Sequence, residues 1–588
     1  MKYKLIATPK NNVLDTILTN RGVKLEDVQK FMNVSKNNTF HYSYLFSDDE
    51  GSNFIYGRSI IDFAIRNRKA IYIIVDCDCD GFTSASALGN YLYDLYGEEF
   101  EKLCHYVFHD GKEHGIELDK LPKDSDFILI VPDAGTNDVK QCEELYKRNI
   151  PVLILDHHDI DYENPYCILI NNQIEKYPNK EISGVCVVYK FLQYLDDYYE
   201  KQFADNYLDL VSLGMIADMM CINNSETRYF VQAGCSNIIN PFIKEHIEIN
   251  KKRMKTVNPV SLGFYVSPYV NAMCRSGELD EKEILFNSFL NYKAYSIIKS
   301  SKKGEVGNNT ILCKEGELVA TRVKRRQEEF KKKVLPLLND KIVANELDKN
   351  SVIIILNDDV DCKNIAGLIC NELTHKYQRP VCCLSSVNEN YEGSSRGNTL
   401  CGINDFKKFC LESQYTNWCK GHPNAFGISL SKSSLTEFIN YANKKIEITE
   451  PTYFVDYILS ETCQDKDIIK EIVDIGEIWG NGLNEPLVCL KDIPVSFYCK
   501  QIFEKKLDDD RIYKTMKIKL KNNVEIMKFD ITKEEEMMLP DFHNPVVKMD
   551  FIGKCNRNIF RGQTTYQIFC EDMSFSQKVE EVPFKFTF

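Results

Sequence analysis

The chain has no apolar run near the roughly 18 residues that a membrane-spanning helix needs. Its longest candidates, Ile71 to Val75, Phe127 to Val131 and Val352 to Leu356, are too short by more than half. A helical membrane protein is excluded. The opening MKYKLIATPK lacks the apolar stretch and small-residue cleavage site of a signal peptide, so the expected location is the cytoplasm. None of the 22 cysteines stands in a C-x-x-C pair, which argues against zinc and reads them as small buried hydrophobes in a reducing compartment. An excess of positive charge is missing too. The 73 Lys+Arg against 86 Asp+Glu leave a net charge of −13, so any polyanionic partner must be held by local contacts rather than drawn in by a long-range field. There is no internal repeat and no low-complexity tract.

What is present is an ordinary globular composition, 44% hydrophobic and 27% charged over 588 residues, enough for several domains. The first half alternates short β-like runs (Ile71 to Val75, Phe127 to Val131, Pro151 to Leu155, Cys167 to Ile170) with longer helical stretches, predicting an α/β domain built on a doubly wound parallel sheet. A charged, helix-like segment from about Gly304 to Leu338 predicts a connecting helix, and a second α/β stretch follows through SVIIIL, RPVCCL and AFGISL. After Pro451 the chain turns alternating and turn-rich, as in YKTMKIKLKNNVEIMKFDI, and predicts a small β-barrel or sandwich ending at Phe588. The expected division is 1–302, an N-terminal segment with the first α/β domain; 303–345, the connecting helix; 346–445, the second α/β domain; and 446–588, an OB-like tail.

The first three β-like runs end in acidic or histidine residues, and ligands in open α/β sheets sit at the carboxyl ends of strands. Asp76, Asp78 and Asp80 alternate after IYIIV, so an extended chain would turn them to one face. Converging anions must bind a hard cation, be protonated, or splay apart. The spacing also matches the start of an EF-hand, but the twelfth position would be Ala87 rather than a bidentate Glu and the preceding segment is β-like. FILIV leads into Asp133, and VLIL into Asp156, His157 and His158. Asp218 stands in the apolar stretch LVSLGMIADMM, where a buried acid needs a partner. Five carboxylates with one or two imidazoles suit two divalent cations, manganese preferred or magnesium, which leave the site close to neutral. Two such ions can share a hydroxide and stabilise an in-line displacement at phosphorus, so the expected chemistry is phosphodiester hydrolysis.

The blocks DCDCDG, PDAG, LDHH and SLGMIAD resemble motifs I to IV of the DHH phosphoesterase superfamily. NNQIEKYPNKEISGVCVVYKF, GFYVSPYVNAMCRSG, RVKRRQEEF, GSSRG, KGHPNAFG, WGNGLNEPLV and NIFRGQTTYQIFCED resemble segments of its RecJ branch, from about residue 50 to the end. The resemblance implies a 5′-to-3′ exonuclease that reduces single-stranded DNA to mononucleotides in repair or recombination. It implies metal ligands Asp76, Asp78, Asp80, Asp133, His157 and Asp218, with Asp133 bridging both ions and Asp156 orienting its neighbours. His158 is implied at the scissile phosphate or in proton transfer, and Asn271 and Arg275 near the cleaved phosphate. Ser394 and Arg396 are implied as the anchor of the terminal 5′ phosphate, and His422 as the histidine of the associated domain. A tail grip on the strand would fall to Lys548, Arg557, Arg561, Phe560 and Tyr566. The expected partner is single-stranded DNA, with a helicase or single-strand-binding protein as further candidates, no membrane, and a monomeric state. Two rival readings stand beside this one: a phosphodiesterase for short oligonucleotides or cyclic dinucleotides, and a catalytically inactive replication scaffold.

The sequence departs from the family pattern at Lys420 (for Gly), Val323 (for Asn), Tyr269 (for Arg) and Cys274 (for Gly), and VFHDGKEHG lacks the usual Pro and Arg. The lost charge at 269 is the departure that bears on DNA binding, and His109 and His114 are the expected replacements.

Overall fold

The structure, a computed structural model, describes all residues except 112, 124–125, 255, 448–451, 477, 507–511 and 577–588. Pro451, after which the turn-rich stretch is expected, and the expected end of the tail at Phe588 therefore lie outside the described residues. Among the described residues no helix is long and apolar enough to cross a membrane.

The apolar runs of the first half form five parallel strands, in the order Cys104–Phe108, Ala70–Val75, Phe127–Pro132, Val152–Asp156, Ile168–Asn171. Every residue of Phe127–Pro132 and Val152–Asp156 is buried. Both faces are covered, which is why these strands read as continuous apolar runs rather than alternating ones. The chain goes from Ala70–Val75 outward to Cys104–Phe108, then back across to Phe127–Pro132. Strand order thus reverses between Ala70–Val75 and Phe127–Pro132, and the crevice at such a reversal is where ligands bind in open α/β sheets.

The connecting helix is Leu312–Ala344, 33 residues and about 50 Å long at 1.5 Å per residue, with Pro336 inside it. It starts later than the expected 303 because Ile297–Lys299 and Asn309–Ile311 pair as a hairpin ahead of it. Its Arg326 and Gln327 fasten it to the first half of the chain: Arg326 donates to Glu281 Oε2 at 2.7 Å and Ser276 O at 2.8 Å, and Gln327 Nε2 donates to Ser276 Oγ at 3.1 Å. Ser276 ends the helix Ser267–Ser276, one residue past Arg275.

The second α/β unit has five strands in the order Thr416–His422, Ala425–Ser431, Asn390–Arg396, Val381–Val387, Ile353–Leu356, with helix Ala366–Tyr377 on one face. The tail carries a seven-stranded mixed sheet. Leu487–Ser496 pairs with Val546–Phe560, and Lys500–Lys506, three residues further on, pairs with Ile512–Lys519. Glu525–Phe529 runs parallel to Gln563–Phe575.

One boundary differs from expectation. Lys2–Leu5 pairs in parallel with Thr452–Val455, Tyr3 Oη donates to Asp550, and Arg21 forms an ion pair with Asp456 at 2.7 Å. The first residues of the chain therefore pack with the tail and not with the first α/β domain.

Candidate active site

At the strand reversal, Asp76 follows Val75 and is 1% exposed. Its Oδ2 lies 2.6 Å from His114 Nδ1 and its Oδ1 accepts the Gly115 N–H at 3.2 Å. Burial raises its pKa, but the two histidines, His114 above all, outweigh this and hold it well below the usual carboxylate range. Asp78 caps the helix Cys79–Tyr96, accepting the N–H groups of Asp80 at 3.0 Å and Gly81 at 3.1 Å. Gly81 is needed there: a Cβ would stand 2.5 Å from Asp76 Cβ.

Asp80 points to the start of the helix Gly184–Tyr199, where Ser183 Oγ (2.9 Å) and the N–H groups of Gly184 (2.7 Å) and Val185 (3.3 Å) donate to it. Even with this positive helix end against it, burial, followed by repulsion from Asp218, pushes its pKa up to about 7. Asp133 ends its strand in a left-handed conformation, φ 65°, held by its own N–H on Leu155 O at 2.7 Å. Burial, with the charges of Asp80 and Asp78 next, raises its pKa well above the usual range.

Asp156 accepts from Thr136 N (3.1 Å), Thr136 Oγ1 (2.6 Å) and His157 N (2.7 Å), and its Oδ1 lies 2.8 Å from His158 Nδ1. Its oxygens are thereby spent on orienting neighbours. Burial lowers the pKa of His157 to about 4, leaving the neutral imidazole that a metal requires. Its Nε2 stands 3.4 Å from both Asp133 Oδ1 and Asp218 Oδ2. For His158 burial opposes the charge, but Asp156 offsets it and holds the ring protonated up to about pH 9.

Two ligand sets result, in each of which the donor atoms lie within 4.8 Å of one another: Asp76, Asp78 and Asp133, and Asp80, His157 and Asp218. Asp133 Oδ1 and Asp218 Oδ2 are buried without a hydrogen-bond partner. A buried carboxylate oxygen left so is costly. Both face the same imidazole nitrogen, so the donor set fits a pair of hard divalent cations. All six expected ligands are brought together.

Of the expected phosphate-handling residues, Arg275, Ser394 and Arg396 line a cleft of about 590 Å³ beside these acids, together with Asp78, His114, Lys363 and Lys420, and His158, Asn271 and His422 lie outside it. Arg396 lies against the first turn of Ala366–Tyr377, its Nη2 only 2.6 Å from where a Cβ on Gly367 would stand. Burial, then the nearby Arg275 charge, lowers its pKa. Asn271 stands at the acidic loop. Its Oδ1 accepts the Cys79 N–H at 2.9 Å, so it fixes the acidic loop's backbone. His422 reaches across from the second unit, Nε2 3.2 Å from Asp218 Oδ1.

Of the two expected replacements for the charge lost at 269, His114 borders the cleft and His109 does not. His109 is 4% exposed, with Nδ1 on Glu117, and cannot meet a polymer. Tyr269 turns to His246, ring centroids 4.5 Å apart, while Val323 and Cys274 are core residues. In the tail, Arg557 is tied to Asp474 at 3.0 Å, while Lys548, Phe560 and Arg561 are exposed and Tyr566 is half-buried. Sequence reasoning missed Ser183 and Gly184 as the cradle of Asp80, although the S-G step was visible in EISGVC.

A family model described as the DHH family, N-terminal domain, matches residues 70–215. The chain is 30% identical over 587 residues to YorK, derived from the SPbeta prophage of Bacillus subtilis (strain 168), whose name describes a single-strand DNA-specific exonuclease; the match covers 97% of each chain. It is 26% identical over 241 residues to the single-stranded-DNA-specific exonuclease RecJ of Dickeya dadantii (strain 3937), covering 38% of this chain and 41% of that one. Among solved structures, RecJ of Thermus thermophilus in complex with Mn2+ superposes with a TM-score of 0.67 at 17% identity, covering 98% of this chain and 80% of the other.

Proposed function

The chain belongs to the DHH family and, within it, to the RecJ-like single-strand-DNA-specific exonucleases, and from that premise we propose that it removes mononucleotides from the 5′ end of single-stranded DNA during repair or recombination. The observation that carries the chemistry is the pair of ligand sets sharing one pocket, with Asp133 Oδ1 and Asp218 Oδ2 buried and unpartnered between them. Two divalent cations, manganese or magnesium, held by Asp76, Asp78 and Asp133 and by Asp80, His157 and Asp218, would supply an acidified water and charge neutralisation at phosphorus.

The chain's own residues do the rest. Arg275 holds the charge that grows on the phosphoryl oxygens. His158, protonated at neutral pH, gives its proton to the departing O3′. Arg396 and Ser394, beside the first turn of Ala366–Tyr377, take the terminal 5′ phosphate, which fixes where the strand end stops. The tail is OB-like: Leu487–Ser496 and Lys500–Lys506, a long strand broken after Ser496, pair on both sides of the break, and the parallel pairing of Glu525–Phe529 with Gln563–Phe575 supports this reading. Tyr498, 90% exposed beside Lys517, Lys519 and Lys521, supports a stacking contact with the strand.

The test is a long single strand labelled at either end, with Mn2+, with and without a 5′ phosphate, comparing wild type and Asp133→Ala. Mononucleotides leaving the 5′ end in wild type and none from the variant are expected. Release starting at the 3′ end overturns the polarity, and faster hydrolysis of short oligomers than of the long strand turns the reading to the short-oligonucleotide phosphodiesterase.

A further inference from the structure

Asp218 sits at the carboxyl end of the helix Leu208–Ala217, and the chain leaves it through Met219, which takes a left-handed φ of 57°. That conformation is unfavourable for a residue with a Cβ and persists only where surroundings hold it. The helix end itself holds part of it, with Met219 N donating to Ile216 O at 3.2 Å and Met220 N to Met215 O at 3.0 Å, and the tail adds further contacts. Ile222 N donates to Asn481 O at 3.0 Å, Asn481 Nδ2 donates to Met219 O, and Asn223 Nδ2 donates to Gly482 O at 2.7 Å. Gly482 has φ +77°, and a Cβ on it would stand 2.3 Å from Cys221 Sγ, so the two loops meet with no room for a side chain. The tail loop is braced in turn: Trp479 is 4% exposed, the Arg21 guanidinium lies 5.7 Å from its ring centroid, and Arg21 Nε donates to Asn484 O at 2.8 Å.

We propose that Asn481 is a positioning residue for the second metal set, acting through Met219 to aim the Asp218 carboxylate, so that seating of the tail sets the affinity of the catalytic half for its ion. Asn481 touches no substrate and no ligand atom. It fixes the backbone one residue beyond the ligand, and groups that orient a metal ligand typically govern affinity by about 10- to 100-fold. The inference rests on the reading of Asp218 as a metal ligand.

The experiment measures Mn2+ binding to the full-length protein by the electron paramagnetic resonance signal of the free ion, alongside the Mn2+ dependence of exonuclease rate. The variants are Asn481→Ala, Asn223→Ala, which opens the same clasp from the opposite side, and Asp218→Asn as reference. Both clasp variants are expected to weaken Mn2+ binding and to raise the Mn2+ needed for half-maximal rate about tenfold, with kcat at saturating Mn2+ within twofold of wild type. If Asp218→Asn leaves Mn2+ binding unchanged, the ligand reading itself fails. If Asp218→Asn weakens binding while both clasp variants bind as wild type, or lose kcat with no shift in half-saturation, the positioning role is overturned.

Discussion

Gly184→Ala is expected to disable the enzyme although it replaces none of the ligand residues. The Gly184 N–H donates to Asp80 at 2.7 Å, and its Cα lies so close to the second acid that an added Cβ would stand 2.2 Å from Asp133 Oδ1 and 2.6 Å from Asp133 Cβ. An ordinary contact begins near 3.4 Å, so the carboxylate must retreat by about 1.2 Å. Rotation alone cannot relieve it, because Asp133 Cβ is crowded too and its backbone is pinned to Leu155 O. A misplacement of about 1 Å at a reacting centre costs about a hundredfold in rate, or about 2.7 kcal/mol of barrier at 1.36 kcal/mol per tenfold. Overpacking should also lower folding stability by about 1–3 kcal/mol. The assay is mononucleotide release against Mn2+ concentration, with thermal melting beside it. A variant with kcat within threefold of wild type and the same Mn2+ half-saturation would refute the argument that Asp133 is held at this spot.

The protonation of His158 predicts a pH limit. Its folded pKa is raised to about 9, so the donor is present below that value and lost above it; kcat should fall as pH passes about 9, and His158→Asn should be slow at all pH values with that limb gone. A limb unchanged in the variant assigns it to another group. Arg396→Ala should reduce the preference for a 5′-phosphorylated end by about tenfold or more while hydroxyl-ended strands are cut at nearly the wild-type rate, as loss of one charge-assisted contact of roughly 1.5–3 kcal/mol requires. Equal losses on both ends would move Arg396 from end recognition to general strand binding.

The metal pocket was legible because each of its acids follows an apolar run that can only be a buried strand or helix, and the ends of such elements converge at a strand reversal. What escaped reading depended on contacts without a local signature. The pairing of Lys2–Leu5 with Thr452–Val455 joins segments far apart in the chain, and a four-residue strand has no periodicity to announce it. The hairpin ahead of Leu312 was absorbed into the expected helix because its strands are three residues each. His109 and His114 look alike in HDGKEHG, and only the fold decides that one ring is packed against Glu117 while the other borders the cleft. For Asn271, spacing locates the side chain near the acids without saying that its Oδ1 will meet the Cys79 N–H.

The pairing of Lys2–Leu5 with Thr452–Val455 has a consequence for biosynthesis. Lys2–Leu5 finds its mate only after some 450 further residues have been translated, on the order of half a minute at about 15 residues per second. During that interval the catalytic half can take shape, yet Arg21 has neither Asp456 nor Trp479 to receive it. The strand Lys2–Leu5 and Arg21 thus gain their tail contacts only once residues 452–479 have been made, so this part of the architecture is completed late.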